Sequence, residues 1–137
     1  MIHESVSLDT SFVLRILVSQ PPELFRLASA FLAEQRAADV PIHISDLVLA
    51  EAYFALQTFY QLTKSDSIAA ISSLAQCGGV IVSPVASEVL ALPNLASAKP
   101  GFVDRLIHGE SQTSGHTLVT FEKAAKKLAG TAVLATS

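Results

Sequence analysis

The sequence predicts an α/β domain with a mainly parallel central sheet. Short apolar runs alternate with longer helical patterns along the chain, which is typical of this fold class. Glycines and prolines separate the runs, and no internal repeat, low-complexity tract or linker divides the chain. A chain of 137 residues can bury its own core, so we expect a single domain over residues 1–137.

The first half of the chain combines two strand patterns with four helix patterns. A proline pair opens the second helix, and Leu24 and Leu27 lie on its apolar face. Ser45 is predicted to cap the third helix, and Thr63 with Asp66 resembles a capping box at the start of the fourth. The predicted strands are 6–8 and 42–44, and the predicted helices are 12–18, 21–38, 47–60 and 63–77.

The second half of the chain continues the alternation. Gly78 and Gly79 end the fourth helix, Pro93 breaks the next helical pattern, and Gly115 ends the helix that carries Asp104. The predicted strands are 80–82, 116–120 and 131–134, and the predicted helical segments are 84–96, 102–114 and a short basic one at 123–128.

The composition indicates a protein with a partner surface. Half of the residues are hydrophobic and 15% are charged, against roughly 25% charged residues in a typical soluble domain. We therefore expect a homodimer, or a dedicated protein partner, to cover apolar surface. The net charge of -3 gives no general attraction to nucleic acid, so RNA binding would need a local basic patch or a metal ion.

Cysteine usage and the N-terminal sequence favour a cytoplasmic protein. The single Cys77 excludes an internal disulfide and, without a His/Cys cluster, argues against a structural zinc site. The first residues contain neither a basic leader nor a long apolar stretch, so we expect no secretory signal. No apolar run approaches the ~18 residues of a spanning helix, so we expect no membrane partner.

Four acidic residues in apolar surroundings are the main functional signal. Asp9 and Glu122 each follow a strand pattern, and Glu51 lies within an apolar helix pattern. Asp104 lies between two apolar pairs. A carboxylate avoids such surroundings unless something offsets its desolvation, so these positions are candidates for a shared site.

Three of these acids also have a structural explanation. Asp9 could cap the helix that it precedes, and Asp104 and Glu122 fall in first helical turns, where the helix dipole favours anions. Glu51 has no such explanation, because its neighbours at three and four residues' distance are all apolar. We expect Glu51 to face inward, away from the polar side of its helix.

Parallel-sheet geometry can bring such acids together. Ligands of an open parallel sheet bind beyond the carboxyl ends of its strands. Two unit charges about 4 Å apart repel by about 4 kcal/mol at an effective dielectric near 20, so converging carboxylates need a cation or must protonate. Mg²⁺ or Mn²⁺ suits carboxylate and water oxygens. Either ion could activate a water for attack on a phosphodiester, so we expect a metal-dependent phosphodiester-cleaving site.

The segments that hold these acids resemble the PIN-domain family, and most closely its VapC-type ribonuclease toxins of toxin–antitoxin pairs. The matching segments follow the family's order and spacing over essentially the whole chain, and they are 7–15, 44–51, 101–107 and 118–123. The resemblance implies a three-layer α/β/α sandwich and an endoribonuclease that uses Mg²⁺ or Mn²⁺. It also implies an RNA substrate and a small antitoxin protein as partner.

The family's acidic tetrad carries over onto Asp9, Glu51, Asp104 and Glu122, as catalytic and metal-binding residues. By this resemblance, Asp9 and Asp104 hold the metal most directly. The other two bind it or its waters and help to position the nucleophile.

The chain has the family's polar residues beside the first and fourth acids, and it differs from the family pattern at two positions. The polar residue after the first acid is Thr10 or Ser11, and the one beside the fourth acid is Thr120. The family usually has Asp where this chain has Glu122, and often has a further acid where this chain has Gly101. Both departures bear on metal affinity more than on the fold.

Cationic side chains near the acids are candidates for RNA contacts. Arg15, Arg105 and Lys123 could hold phosphates near the metal, together with the polar residues Thr10, Ser11 and Thr120. Arg15 lies in an apolar helix pattern close to Asp9. It could instead pair with an acid or extend its charged end to the surface.

Two other functions stay open. The departures at Glu122 and Gly101 are also compatible with a non-catalytic PIN-like module that binds RNA or protein and has a degenerate metal site. A receiver-like or phosphatase-like acid pocket would need a second acid two residues away from Asp9, or a fixed Lys across the pocket, and the chain has Ser11 at the position of that acid.

Overall fold

The computed structural model describes residues 4–136, in which α-helices and short parallel strands alternate along the chain. This alternation confirms the α/β class that the sequence predicts. Contacts divide the chain into two compact units, Met1–Ser83 and Pro84–Ser137. Within the described residues, the first unit contains a three-stranded parallel sheet and the second a two-stranded parallel sheet.

The sheet of the first unit consists of β1 (Val6–Ser7), β2 (Ile42–His43) and β3 (Val80–Ile81). β2 lies between the other two strands and pairs in parallel with both. Ile42 lies opposite Val6 on one side and Val80 on the other, and its side chain is fully buried. Because the three strands run in the same direction, their carboxyl ends share one edge, and Asp9 follows β1 at that edge.

The helices of the first unit are α1 (Thr10–Val18), α2 (Pro22–Ala37), α3 (Asp46–Thr58) and α4 (Lys64–Ala75). Asp9, Ser45 and Thr63 each accept a hydrogen bond from a backbone N–H in the first turn of the helix that follows. These bonds satisfy donors that a helix cannot pair internally. The caps predicted at Ser45 and Thr63 are therefore confirmed.

The core of the first unit forms where α1 packs against α2 and α3, and where α3 packs against α4. Helix α2 contributes Ala28 and Leu32 to this core. Leu24 and Leu27 lie on the same predicted apolar face, yet both are exposed. The apolar stripe of α2 is thus wider than the surface that the rest of the unit covers. The least exposed apolar side chains of this core are Val13, Ile42, Leu49, Ala52, Leu56 and Ile71.

The second unit contains α5 (Pro84–Leu90), α6 (Phe102–Thr113), β4 (Leu118–Thr120) and β5 (Thr131–Val133). The two strands pair in parallel along their whole length. Helix α5 packs against α6, and Gly109 lies so near Val85 that a Cβ at this position would collide with it. Phe102 and Leu106 of α6 are buried.

Several elements differ in length or type from the sequence prediction. The strands are two or three residues long, shorter than the apolar runs that predicted them. The pattern at 84–96 divides at Pro93 into α5 and a 3₁₀ turn, Leu95–Ser97, and the short basic helix is a 3₁₀ segment, Lys123–Lys127. None of the helices described between residues 4 and 136 is long and apolar enough to cross a membrane. The prediction of no secretory signal concerns residues 1–3, which lie outside the described residues.

Candidate functional site

Asp9 lies two residues after the first strand and caps the first helix. Its Oδ1 accepts a hydrogen bond from the backbone N–H of Phe12 at 3.0 Å and another from the Ser11 hydroxyl at 2.8 Å. The Phe12 N–H, followed by the Ser11 hydroxyl, lowers the pKa of the Asp9 carboxyl below its ordinary value of 3.8. Asp9 is therefore an exposed and ionised carboxylate at neutral pH.

We expect the hydrogen bonds to Asp9 to make stability depend on pH in acid. They favour the ionised carboxylate, so the folded pKa lies below the unfolded one. Their contribution is complete above the ordinary value of 3.8 and is lost as the pH falls through the folded value. The measurement compares urea unfolding of the wild type and Asp9→Asn from about pH 7 to about pH 2.5.

Asn also caps helices but does not titrate, so it is the matched reference for this experiment. The free energy of unfolding of the wild type relative to Asp9→Asn should fall on acidification. A difference that stays constant or grows as the pH is lowered would contradict the assigned hydrogen bonds.

Glu51 is held next to Asp9 by a hydrogen bond between two helices. The Thr10 hydroxyl, at the start of α1, donates to Glu51 Oε1 on α3 at 2.7 Å. Because Thr10 directly follows Asp9 in the chain, this bond places the two carboxylates in one region of the first unit. The structure therefore brings together two of the four predicted site residues.

The prediction that Glu51 faces inward is wrong. Glu51 is exposed, and its neighbours Leu47 and Phe54 are 72% and 54% exposed. The face of α3 that enters the core is formed by other residues, which include Leu49 and Leu56. Helix α3 has apolar residues on almost every side, so its few polar residues do not indicate which side is buried.

Asp104 and Glu122 belong to the second unit. Asp104 is exposed in the first turn of α6, and Glu122 is exposed directly after β4. The Thr120 hydroxyl accepts the backbone N–H of Glu122 at 3.0 Å, so Thr120 shapes the chain at the end of the strand. The first helical turn predicted for Asp104 is confirmed. Glu122 lies past the end of β4 and immediately before a 3₁₀ segment, so the helical turn predicted for it is wrong.

Two of the four predicted metal ligands, Asp9 and Glu51, belong to the first unit. Across residues 4–136, no group of three or more His, Cys, Asp or Glu side chains is placed to hold a metal ion. Asp9 and Glu51 supply two carboxylates, with the hydroxyls of Thr10 and Ser11 beside them. Mg²⁺ is commonly held by one or two carboxylates together with water and substrate phosphates, so the donor atoms of this pair suit the ion. Metal binding by Asp104 and Glu122 stays a prediction.

The predicted RNA-binding arginines have bonding partners within the chain. Arg15 donates to the Gln20 carbonyl at 2.8 Å and to the Tyr60 hydroxyl at 2.6 Å. Arg105 donates through Nε to the Pro100 carbonyl at 2.7 Å. These bonds tie helices to neighbouring segments, and a role in RNA binding stays a prediction for both arginines. Lys123 is exposed at the start of its 3₁₀ segment.

A groove beside Asp9 was not predicted from the sequence. A cavity of about 670 Å³ extends from Asp9 and Arg15 along α1 and α2, with Phe12, Leu27 and Phe31 among its lining. The rings of Phe12 and Phe31 meet edge to face at 5.7 Å. The sequence feature that could have indicated this groove is the apolar face of α2, which has more apolar residues than the core buries.

Comparison with known proteins does not add to these observations. No protein-family model, curated protein or solved structure matches the chain. The side chains of Asp9, Thr10 and Glu51 are therefore the main indication of what the protein does.

Proposed function

We propose that this chain is a metal-dependent endoribonuclease of the PIN-domain type, similar to VapC toxins. One observation carries the proposal: Thr10, which directly follows Asp9 at the carboxyl edge of a parallel sheet, donates a hydrogen bond to the Glu51 carboxylate. This is where open parallel sheets bind ligands. Both carboxylates are exposed, so a polymer such as RNA can reach them.

The proposed cofactor is Mg²⁺ or Mn²⁺, held by Asp9 and Glu51 in the first unit and completed by Asp104 and Glu122. When bound, such an ion supplies an acidified water and neutralises charge on the phosphate that is attacked. Asp9 contributes a carboxylate that its hydrogen bonds keep ionised. Glu51 contributes a second carboxylate in a fixed position. The proposal includes the three-layer α/β/α sandwich that the family resemblance implies.

The proposed partners are an RNA substrate, a small antitoxin protein and a second copy of the chain. Exposed apolar side chains support a protein partner, since large apolar residues on the surface of a small protein commonly mark interaction sites. Leu27, Leu47, Phe59 and Phe121 are all more than two-thirds exposed. The groove beside Asp9 adds apolar surface next to the proposed active site.

We expect purified protein to cleave RNA only when a divalent ion is present. The experiment incubates the chain with total RNA in Mg²⁺, in Mn²⁺ and in excess EDTA, and sequences the 5′ ends of the fragments. Cleavage at defined positions that stops with EDTA and resumes when Mg²⁺ is added back supports the proposal. Cleavage that persists in EDTA, or no cleavage under any of these conditions after removal of copurified proteins, contradicts it.

A non-catalytic PIN-like binding module is the second candidate. It is favoured because only two carboxylates are seen together among the described side chains. Thermal unfolding with and without Mn²⁺ distinguishes the endoribonuclease from the binding module. A rise in Tm that disappears in Asp104→Asn supports an enzyme-type site, since a ligand stabilises the state that binds it. Unchanged Tm together with retained RNA binding supports the module.

A further inference from the structure

The hydroxyl of Thr10 occupies an unusual position for a residue in the first turn of a helix. It donates to Glu51 Oε1, which is 41 residues away in the chain. The distance of 2.7 Å is typical of a hydroxyl that donates to an ionised carboxylate, the stronger class of hydrogen bond. This bond connects α1 to α3, two helices that pack against each other. Thr10 therefore determines where the Glu51 carboxylate lies.

Threonine is suited to this role because its side chain is stiff. A β-branched residue has few allowed values of χ1, so a helix limits the Thr10 hydroxyl to about two directions, one of which reaches Glu51. Glu51 is long and exposed, and without a partner its carboxylate would sample many rotamers. The bond to Thr10 restricts that freedom before any ligand arrives.

The hydroxyls of Thr10 and Ser11 each donate a hydrogen bond to one of the two carboxylates. Ser11 donates to Asp9 Oδ1, and Thr10 donates to Glu51 Oε1. Each carboxylate thus accepts a hydrogen bond from a neighbouring hydroxyl and remains exposed. Hydroxyls that orient carboxylates in this manner act as outer-shell partners of a cation site.

We infer that Thr10 is a positioning residue that holds Glu51 beside Asp9, so that both carboxylates bind the same divalent cation. This inference rests on the proposed function. It assigns Thr10 to the carboxylate pair in place of the direct RNA contact that the sequence suggested. Thr10 acts through Glu51 and touches neither the ion nor the substrate.

The test measures Mn²⁺ binding by isothermal titration calorimetry, without RNA. Thr10→Val keeps the shape of the side chain and removes the hydroxyl, and it should weaken Mn²⁺ binding by about 10-fold. Thr10→Ser keeps the hydroxyl and should restore most of the affinity. In a Glu51→Ala background, Thr10→Val should cause no further loss, because Ala leaves the Thr10 hydroxyl no side-chain oxygen to position. Thermal unfolding without metal confirms that each variant is folded.

The possible outcomes separate this inference from the proposed function. If the wild type binds no Mn²⁺, the metal site and the role of Thr10 are both overturned. If the wild type binds and Thr10→Val binds equally well, only the role of Thr10 is overturned. The same holds if Thr10→Val weakens binding as much in the Glu51→Ala background as in the wild type, because Thr10 would then act independently of Glu51.

Discussion

Replacing Asp9 by Asn is expected to lower the rate of RNA cleavage by about 10²–10³-fold. Asn keeps the size of the side chain and can still accept the hydrogen bonds from Phe12 and Ser11. It is also as good a helix cap as Asp. The substitution therefore removes the negative charge at the proposed cation site and leaves the start of α1 intact.

The matched control for Asp9→Asn is Asp66→Asn. Asp66 is also an exposed acid at the start of a helix of the first unit, but it lies in α4 and is not part of the carboxylate pair. The measurement is the initial rate of cleavage of one defined RNA at saturating Mg²⁺, with thermal unfolding of each protein. Equal activity of Asp9→Asn and the wild type would remove Asp9 from the chemistry. An equal loss in Asp66→Asn would show that the effect is not specific to the site.

Much of the fold could be predicted because its local signals agree with each other. Ser45 and Thr63 are predicted as caps, and both accept backbone N–H groups in the structure. Pro93 interrupts a helical pattern, and the chain there divides into α5 and a 3₁₀ turn. Such signals act within a few residues, so sequence alone is sufficient to place them.

The orientation of a side chain depends on packing between segments that are far apart in the chain, and the sequence patterns do not show which segments pack together. Glu51 is predicted to face inward and is exposed instead, because α3 turns a different apolar face into the core. Arg15 is predicted to contact RNA, to pair with an acid or to extend its charged end to the surface, and none of these predictions includes its bond to the Tyr60 hydroxyl, 45 residues away. No local pattern links these two positions.

In the candidate site, too, local features could be predicted from the sequence and contacts between distant residues could not. The strand end predicted that Asp9 would lie at a sheet edge, and the structure confirms this placement. The hydrogen bond from Thr10 to Glu51 requires α1 and α3 to pack at one particular register, which periodicity does not specify. The apolar surroundings of Glu51 in the sequence predicted a buried side chain, and the side chain is exposed.

The orientation of α3 can be tested with two leucines of the same helix. Leu56 is 0% exposed and Leu47 is 72% exposed. We expect Leu56→Ala to lower the free energy of unfolding by about 2–5 kcal/mol, because it removes buried methyl groups and leaves a cavity. Leu47→Ala should change it by no more than about 0.5 kcal/mol, as is usual for exposed positions. Leucine and alanine both favour helices, so differences in helix propensity contribute little.

This pair of substitutions decides which side of α3 carries Glu51. Residues 47, 51 and 54 lie three or four positions apart and so share one face of the helix. If Leu47→Ala is the costly substitution in urea unfolding and Leu56→Ala is mild, the face that bears Glu51 enters the core. The carboxylate would then be buried away from RNA, and Asp9 and Glu51 could not form an accessible cation site. The expected order instead keeps Glu51 on the surface, where Thr10 can hold it beside Asp9.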